Sequence, residues 1–99
     1  MANQYIGGPY RLGTHQKVAF TGTAGTSAAI SNGVNVVRVC LTSAGYVKFS
    51  TAGTAATTSD AYFPAGVVEY IIVPDGGTTR VSAIQDSAGG NLHLTELSK

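Results

Sequence analysis

From Lys17 onward the chain is a succession of short runs of β-branched and aromatic residues separated by clusters of Gly, Ser, Thr, Ala and Asn. That punctuation constrains the fold most, because it recurs too often for helices to fit between the breaks. No window carries apolar residues at i, i+3, i+4 and i+7, and alanine-rich pieces such as Ala24-Gly25-Thr26-Ser27-Ala28-Ala29 are interrupted by turn formers. Helix content is expected to be near zero. Candidate strands are 17–21, 27–30, 34–41, 45–50, 61–63, 67–73, 79–85 and 91–97.

Side-chain alternation assigns faces. In 34–41, Val37, Val39 and Leu41 point one way and Val36, Arg38 and Cys40 the other. In 67–73 both faces are apolar apart from Glu69, so both segments are expected to be central strands. Segments 45–50 and 91–97 mix polar and apolar residues as half-solvated strands do. Tight turns are expected at Ser43-Ala44-Gly45, Pro74-Asp75-Gly76-Gly77 and Ser87-Ala88-Gly89-Gly90, each closing a hairpin. A long loop at 51–60 favours a two-sheet antiparallel β-sandwich of jelly-roll or Greek-key connectivity, with about eight short strands, over a simple meander.

The opening MANQYIGGPYRLGT has neither a helical nor an alternating period, and Gly7-Gly8-Pro9 disfavours a regular element. Residues 1–14 are expected to form an extended arm and residues 15–99 a single β-sandwich domain. Tyr5, Ile6, Tyr10 and Leu12 make the arm apolar and are the candidate partner-binding residues. The arm either lies on a neighbouring protein, whether another subunit or a larger assembly's surface, or pairs with an edge strand of its own sandwich.

The chemistry-bearing inventory is sparse. His15 and His93 stand about eighty residues apart without the spacing of a metal motif. No metal or other cofactor is expected. Ser59 or Ser87 with His93 and Asp60 or Asp86 makes a triad only on paper, since these serines and aspartates suit turn capping. Asp60, Glu69, Asp75, Asp86 and Glu96 are scattered, and Glu69 is expected to pair with Arg38 or Arg80 if their strands are neighbours. An enzyme is therefore not expected.

Charged residues are only 11% of the chain against a usual figure of about 25%, and the formal net charge is +1. That surface lacks the dense basic stripe that neutralises phosphates, so nucleic acid is not an expected partner. A membrane is not expected either, because the longest apolar run is far shorter than a bilayer span. The start of the chain lacks the basic and apolar regions of a secretory signal, so synthesis in the cytoplasm is expected. The lone Cys40 forms no internal disulfide and is expected to be a small buried hydrophobe.

Three stretches carry a family resemblance: Val36-Val-Arg-Val-Cys-Leu-Thr-Ser-Ala-Gly-Tyr-Val-Lys-Phe-Ser50, Phe63-Pro-Ala-Gly-Val-Val-Glu-Tyr70 and Val81-Ser-Ala-Ile-Gln-Asp-Ser-Ala-Gly-Gly90. Together they resemble small virion structural proteins of tailed bacteriophages, in particular capsid decoration or cement subunits. The resemblance implies a compact β-sandwich that binds the outside of the phage head and stabilises the lattice. Its implied partners are the major capsid protein and further copies of itself, as a homodimer or homotrimer. The implied location is the capsid exterior of the virion, after synthesis in the host cytoplasm. A tail, neck or fibre component is the neighbouring alternative. A small carbohydrate-binding sandwich, using Tyr46, Tyr62 or Tyr70 as sugar platforms, is the alternative from another class.

Overall fold

A computed structural model describes residues 10–73 and 76–98. Those residues form eight strands and no helix: β1 (Arg11–Phe20), β2 (Gly25–Thr26), β3 (Val36–Leu41), β4 (Gly45–Ser50), β5 (Ala61–Phe63), β6 (Val68–Ile72), β7 (Arg80–Gln85) and β8 (Gly90–Ser98). They build two antiparallel four-stranded sheets, ordered β1-β8-β3-β6 and β2-β7-β4-β5.

The alternation in β3 sets the first sheet's faces as expected. Val37, Val39 and Leu41 are fully buried, while Val36, Arg38 and Cys40 are half-buried on the outer side. Opposite them on β8, Leu92 and Leu94 are buried on the same inner side. The second sheet contributes Val47, Phe63, Val81 and Ala83 to the same cluster, and Phe20, Ile30 and Val73 complete it. Each fully buried Val, Leu or Phe contributes about 1.5–3 kcal/mol relative to leaving it exposed. The close approach of β4 to β7 requires glycine at 45, since a Cβ there would lie 2.5 Å from the Ile84 carbonyl oxygen.

Several expectations are corrected. The turns around Ser43–Gly45, Gly76–Gly77 and Ser87–Gly90 do not close hairpins, because β3/β4, β6/β7 and β7/β8 lie in different sheets. Each turn instead carries the chain across the core. Gly77 takes a positive φ of 100° and its N–H bonds the Ile30 carbonyl at 2.6 Å, so it is tied to the facing loop rather than to β6. Pro74 and Asp75 lie outside the described residues. The segment 67–73 is not central: among the described residues β6 is the edge of its sheet, with β3 as its one strand neighbour. The segment 91–97 is not half-solvated, because β8 runs between β1 and β3 and buries Leu92, Leu94, Thr95, Glu96 and Leu97.

The strand expected at 27–30 is replaced by the two-residue β2. Its continuation still bonds β7 and the residue before it irregularly, through Ser27 N–H to the Val81 carbonyl and Ile30 N–H to the Thr79 carbonyl, both at 2.8 Å. Cys40 faces outward and is only half-buried. Glu69 opposes Val39, whereas Arg38 opposes Tyr70, so Glu69 and Arg38 sit on opposite faces; Arg80 is on β7 in the other sheet, and the expected ion pair forms with neither. β1 begins at Arg11, so the last residues of the expected arm belong to a strand of the first sheet.

Candidate functional site

The outer face of the first sheet is built by antiparallel register, since directly opposed residues share a side. One row runs Leu12, Leu97, Val36, Ile72 across β1, β8, β3 and β6. The next runs His15, Thr95, Arg38, Tyr70, and the third runs Lys17, His93, Cys40, Val68. The face is apolar at both edges: Leu12 is 74% exposed on β1, and Tyr70 and Ile72 are 47% and 64% exposed on β6. Large apolar side chains on strands that lie at the sheet's edges among the described residues favour association.

Of the candidate partner-binding residues, Leu12 is in β1 opposite Leu97, and Tyr10 is half-buried immediately before that strand. Tyr5 and Ile6 lie outside the described residues. The structure therefore places Leu12 and the β6 pair at opposite edges of one face. Tyr70 entered the sequence reading only as a sugar platform and Ile72 not at all, because the run around them suits a buried strand equally well.

A β-bulge lies between Leu12 and His15. Pairing uninterrupted from Leu12 and Leu97 would set His15 against Leu94 on the core side; the extra residue sets it against Thr95, facing outward. His15 Nδ1 then lies 2.8 Å from Thr95 Oγ1, and His15 Nε2 lies 3.2 Å from His93 Nδ1. The two imidazoles are stacked with centroids 5.3 Å apart. No sequence spacing announces this pair, because the bulge that aims His15 is a property of strand pairing. Among the described residues no group of three His, Cys, Asp or Glu side chains converges as metal ligands.

The outer face of the second sheet carries a different cluster. Tyr46 on β4 opposes Tyr62 on β5, with ring centroids 5.6 Å apart in an edge-to-face arrangement. Tyr46 Oη donates to Asp86 Oδ1 at 3.1 Å. That bond holds the phenol proton and pushes the Tyr46 pKa above its ordinary value, as does the nearby carboxylate charge. Tyr62 is 53% exposed beside it. Tyr70, grouped with these two as a sugar platform, belongs to the other sheet.

The loop at 51–60 lies over the adjoining part of this face. Ala56 N–H donates to Ser82 Oγ at 2.9 Å, and Thr57 N–H donates to Asp60 Oδ2 at 2.8 Å. Acceptance of the Thr57 N–H, followed by the charge of Lys48 at 3.6 Å, holds the Asp60 carboxyl below its usual range. Asp60 is thus a loop-closing residue. Ser59 N–H bonds Thr57 Oγ1 within the same turn, Asp86 is engaged by Tyr46, and His93 by His15, so the paper triad is not assembled.

Comparison with protein-family models, with curated proteins and with solved structures finds no match to this chain.

Proposed function

We propose that this chain is a non-enzymatic virion structural protein that decorates the outside of a phage head and ties neighbouring capsid subunits together. The observation that carries the reading is strand β6, which presents Tyr70 and Ile72 to solvent and has β3 as its one strand neighbour among the described residues. A small sandwich gains stability by covering such an edge, and about 800 Å² per partner is the usual scale of a stable contact.

We read the fold as a jelly roll. Its support is the order β1-β8-β3-β6 and β2-β7-β4-β5, in which every connection except β4 to β5 passes from one sheet to the other. Jelly rolls are frequent among viral capsid domains, although a fold of this kind hosts several functions. The major capsid protein and further copies of the chain are the proposed partners, and the capsid exterior is the proposed location.

Copy number in purified particles tests the reading. Quantitative mass spectrometry of virions encoding this chain is expected to find hundreds of copies; a handful per particle would favour a tail, neck or fibre part, and none would reject a virion role. The edge-to-face Tyr46–Tyr62 pair beside Asp86 supports the second reading, a carbohydrate-binding sandwich, because sugars stack on exposed aromatic rings and bond carboxylates. Saturable binding on a glycan array, lost in Tyr62→Ala, would favour that reading over decoration.

A further inference from the structure

The geometry points to a two-imidazole site for a borderline divalent transition metal, Zn²⁺, Ni²⁺ or Cu²⁺, formed by His15 and His93 on the outer face of the first sheet. The two facing nitrogens are 3.2 Å apart. If each lies about 2.0–2.1 Å from a zinc ion, that separation corresponds to an N–Zn–N angle of about 100–106°, close to tetrahedral. Imidazole nitrogens select these metals over the hard cations Mg²⁺ and Ca²⁺, which take oxygen ligands.

Two further features belong to the same site. The β-bulge between Leu12 and His15 turns His15 from the core side to the side of His93. Bulges re-aim side chains in this way near functional sites. Thr95 Oγ1, 2.8 Å from His15 Nδ1, supplies the outer hydrogen bond that orients a metal-ligating histidine.

The hydroxyl serves both states. Without metal, the Thr95 hydroxyl can donate to a bare His15 Nδ1 or accept from Nδ1–H, and one proton shared between His15 Nε2 and His93 Nδ1 satisfies the facing pair. With metal, the Nδ1–H tautomer of His15 would donate its hydrogen bond to Thr95 Oγ1 and leave both facing nitrogens, His15 Nε2 and His93 Nδ1, free to bind the cation. His15 is exposed and His93 half-exposed, so a solvated ion reaches the pair.

The surroundings set the strength. Lys17 opposes His93 and Arg38 opposes Thr95 on the same face, and both cations work against a bound dication. Cys40 also opposes His93, but its sulfur lies 3.9 Å from the Leu41 carbonyl oxygen and does not join the imidazoles. The protein therefore supplies two ligands, and water completes the coordination shell.

Isothermal titration of the full chain with ZnCl₂ near neutral pH tests the assignment, with imidazole nitrogen NMR shifts as a second readout. Expected are saturable 1:1 binding, shifts confined to His15 and His93, and no response to MgCl₂. His15→Gln and His93→Gln should each lose binding by at least about tenfold, Thr95→Val should weaken it about tenfold, and Cys40→Ser should leave it unchanged. Matching thermal unfolding of the variants establishes that they fold. Absence of saturable binding up to millimolar zinc, binding that survives both histidine substitutions, or loss of binding in Cys40→Ser would each overturn the site.

Discussion

Glu96 Oε2 accepts the backbone N–H of Ser31 at 2.8 Å, joining residues 65 positions apart in the chain. Glu96 is buried at the inner side of β8, and Ser31 belongs to the segment that passes between the sheets from β2 to β3. One carboxylate thus fastens a crossing loop to the central part of the first sheet.

Glu96→Ala removes that acceptor and leaves a part-buried N–H unpaired. A loss of about 1–3 kcal/mol is expected in urea unfolding, with the m value unchanged. Glu96→Gln keeps an oxygen acceptor and should lose less. Equal losses in the two variants would contradict the hydrogen-bond account.

Gly45→Ala places a methyl group 2.5 Å from the Ile84 carbonyl oxygen, which forces β4 away from β7. A cost of roughly 1–3 kcal/mol follows from such overpacking. Gly33→Ala meets no atom within 4 Å and bears only the strain of its positive φ of 82°. The thermal midpoint should therefore fall further for Gly45→Ala than for Gly33→Ala.

Asp60 has a folded-state pKa below its ordinary 3.8, through the Thr57 N–H first and Lys48 second. In acid the unfolded chain takes up this proton before the folded one does. The contribution of Asp60 is present above about 3.8 and is lost as pH falls through the lower folded value. Asp60→Asn should flatten this part of the stability profile between about pH 5 and pH 2, measured by denaturant midpoints. An unchanged acid slope in Asp60→Asn would exclude the effect.

Ile72→Lys and Tyr70→Lys alter exposed side chains on the edge strand and should shift stability by no more than about 0.5 kcal/mol. In co-sedimentation with phage heads, both should reduce binding, since a charge would be buried at the contact. Full binding by the double variant would remove β6 from the interface.

Deletion of residues 2–10 leaves β1 intact and removes Tyr5, Ile6 and Tyr10. Loss of head binding with an unchanged thermal midpoint is expected if the arm lies on a neighbour. A lowered midpoint with undiminished binding would assign those residues to their own sandwich.

The existence of most strands, and the face each presents, are local properties of the chain. Segments 45–50 and 61–63 coincide with β4 and β5, and the alternation in β3 sorts Val37, Val39 and Leu41 inward. A period of two is written in adjacent residues, and Gly, Ser and Asn mark where it stops. Neighbours are not local. The sequence alone determined an all-β chain with a mixed apolar core, but a backbone ladder forms with any strand of suitable length, so Val67–Val73 reads the same at a sheet's edge as at its centre. Tertiary structure decided that β6 lies outermost among the described strands, that the glycine turns cross between sheets, and that His15, shifted by one bulged residue, meets His93 on β8. Those outcomes depend on which distant surfaces bury each other best, an energy that no short window of sequence contains.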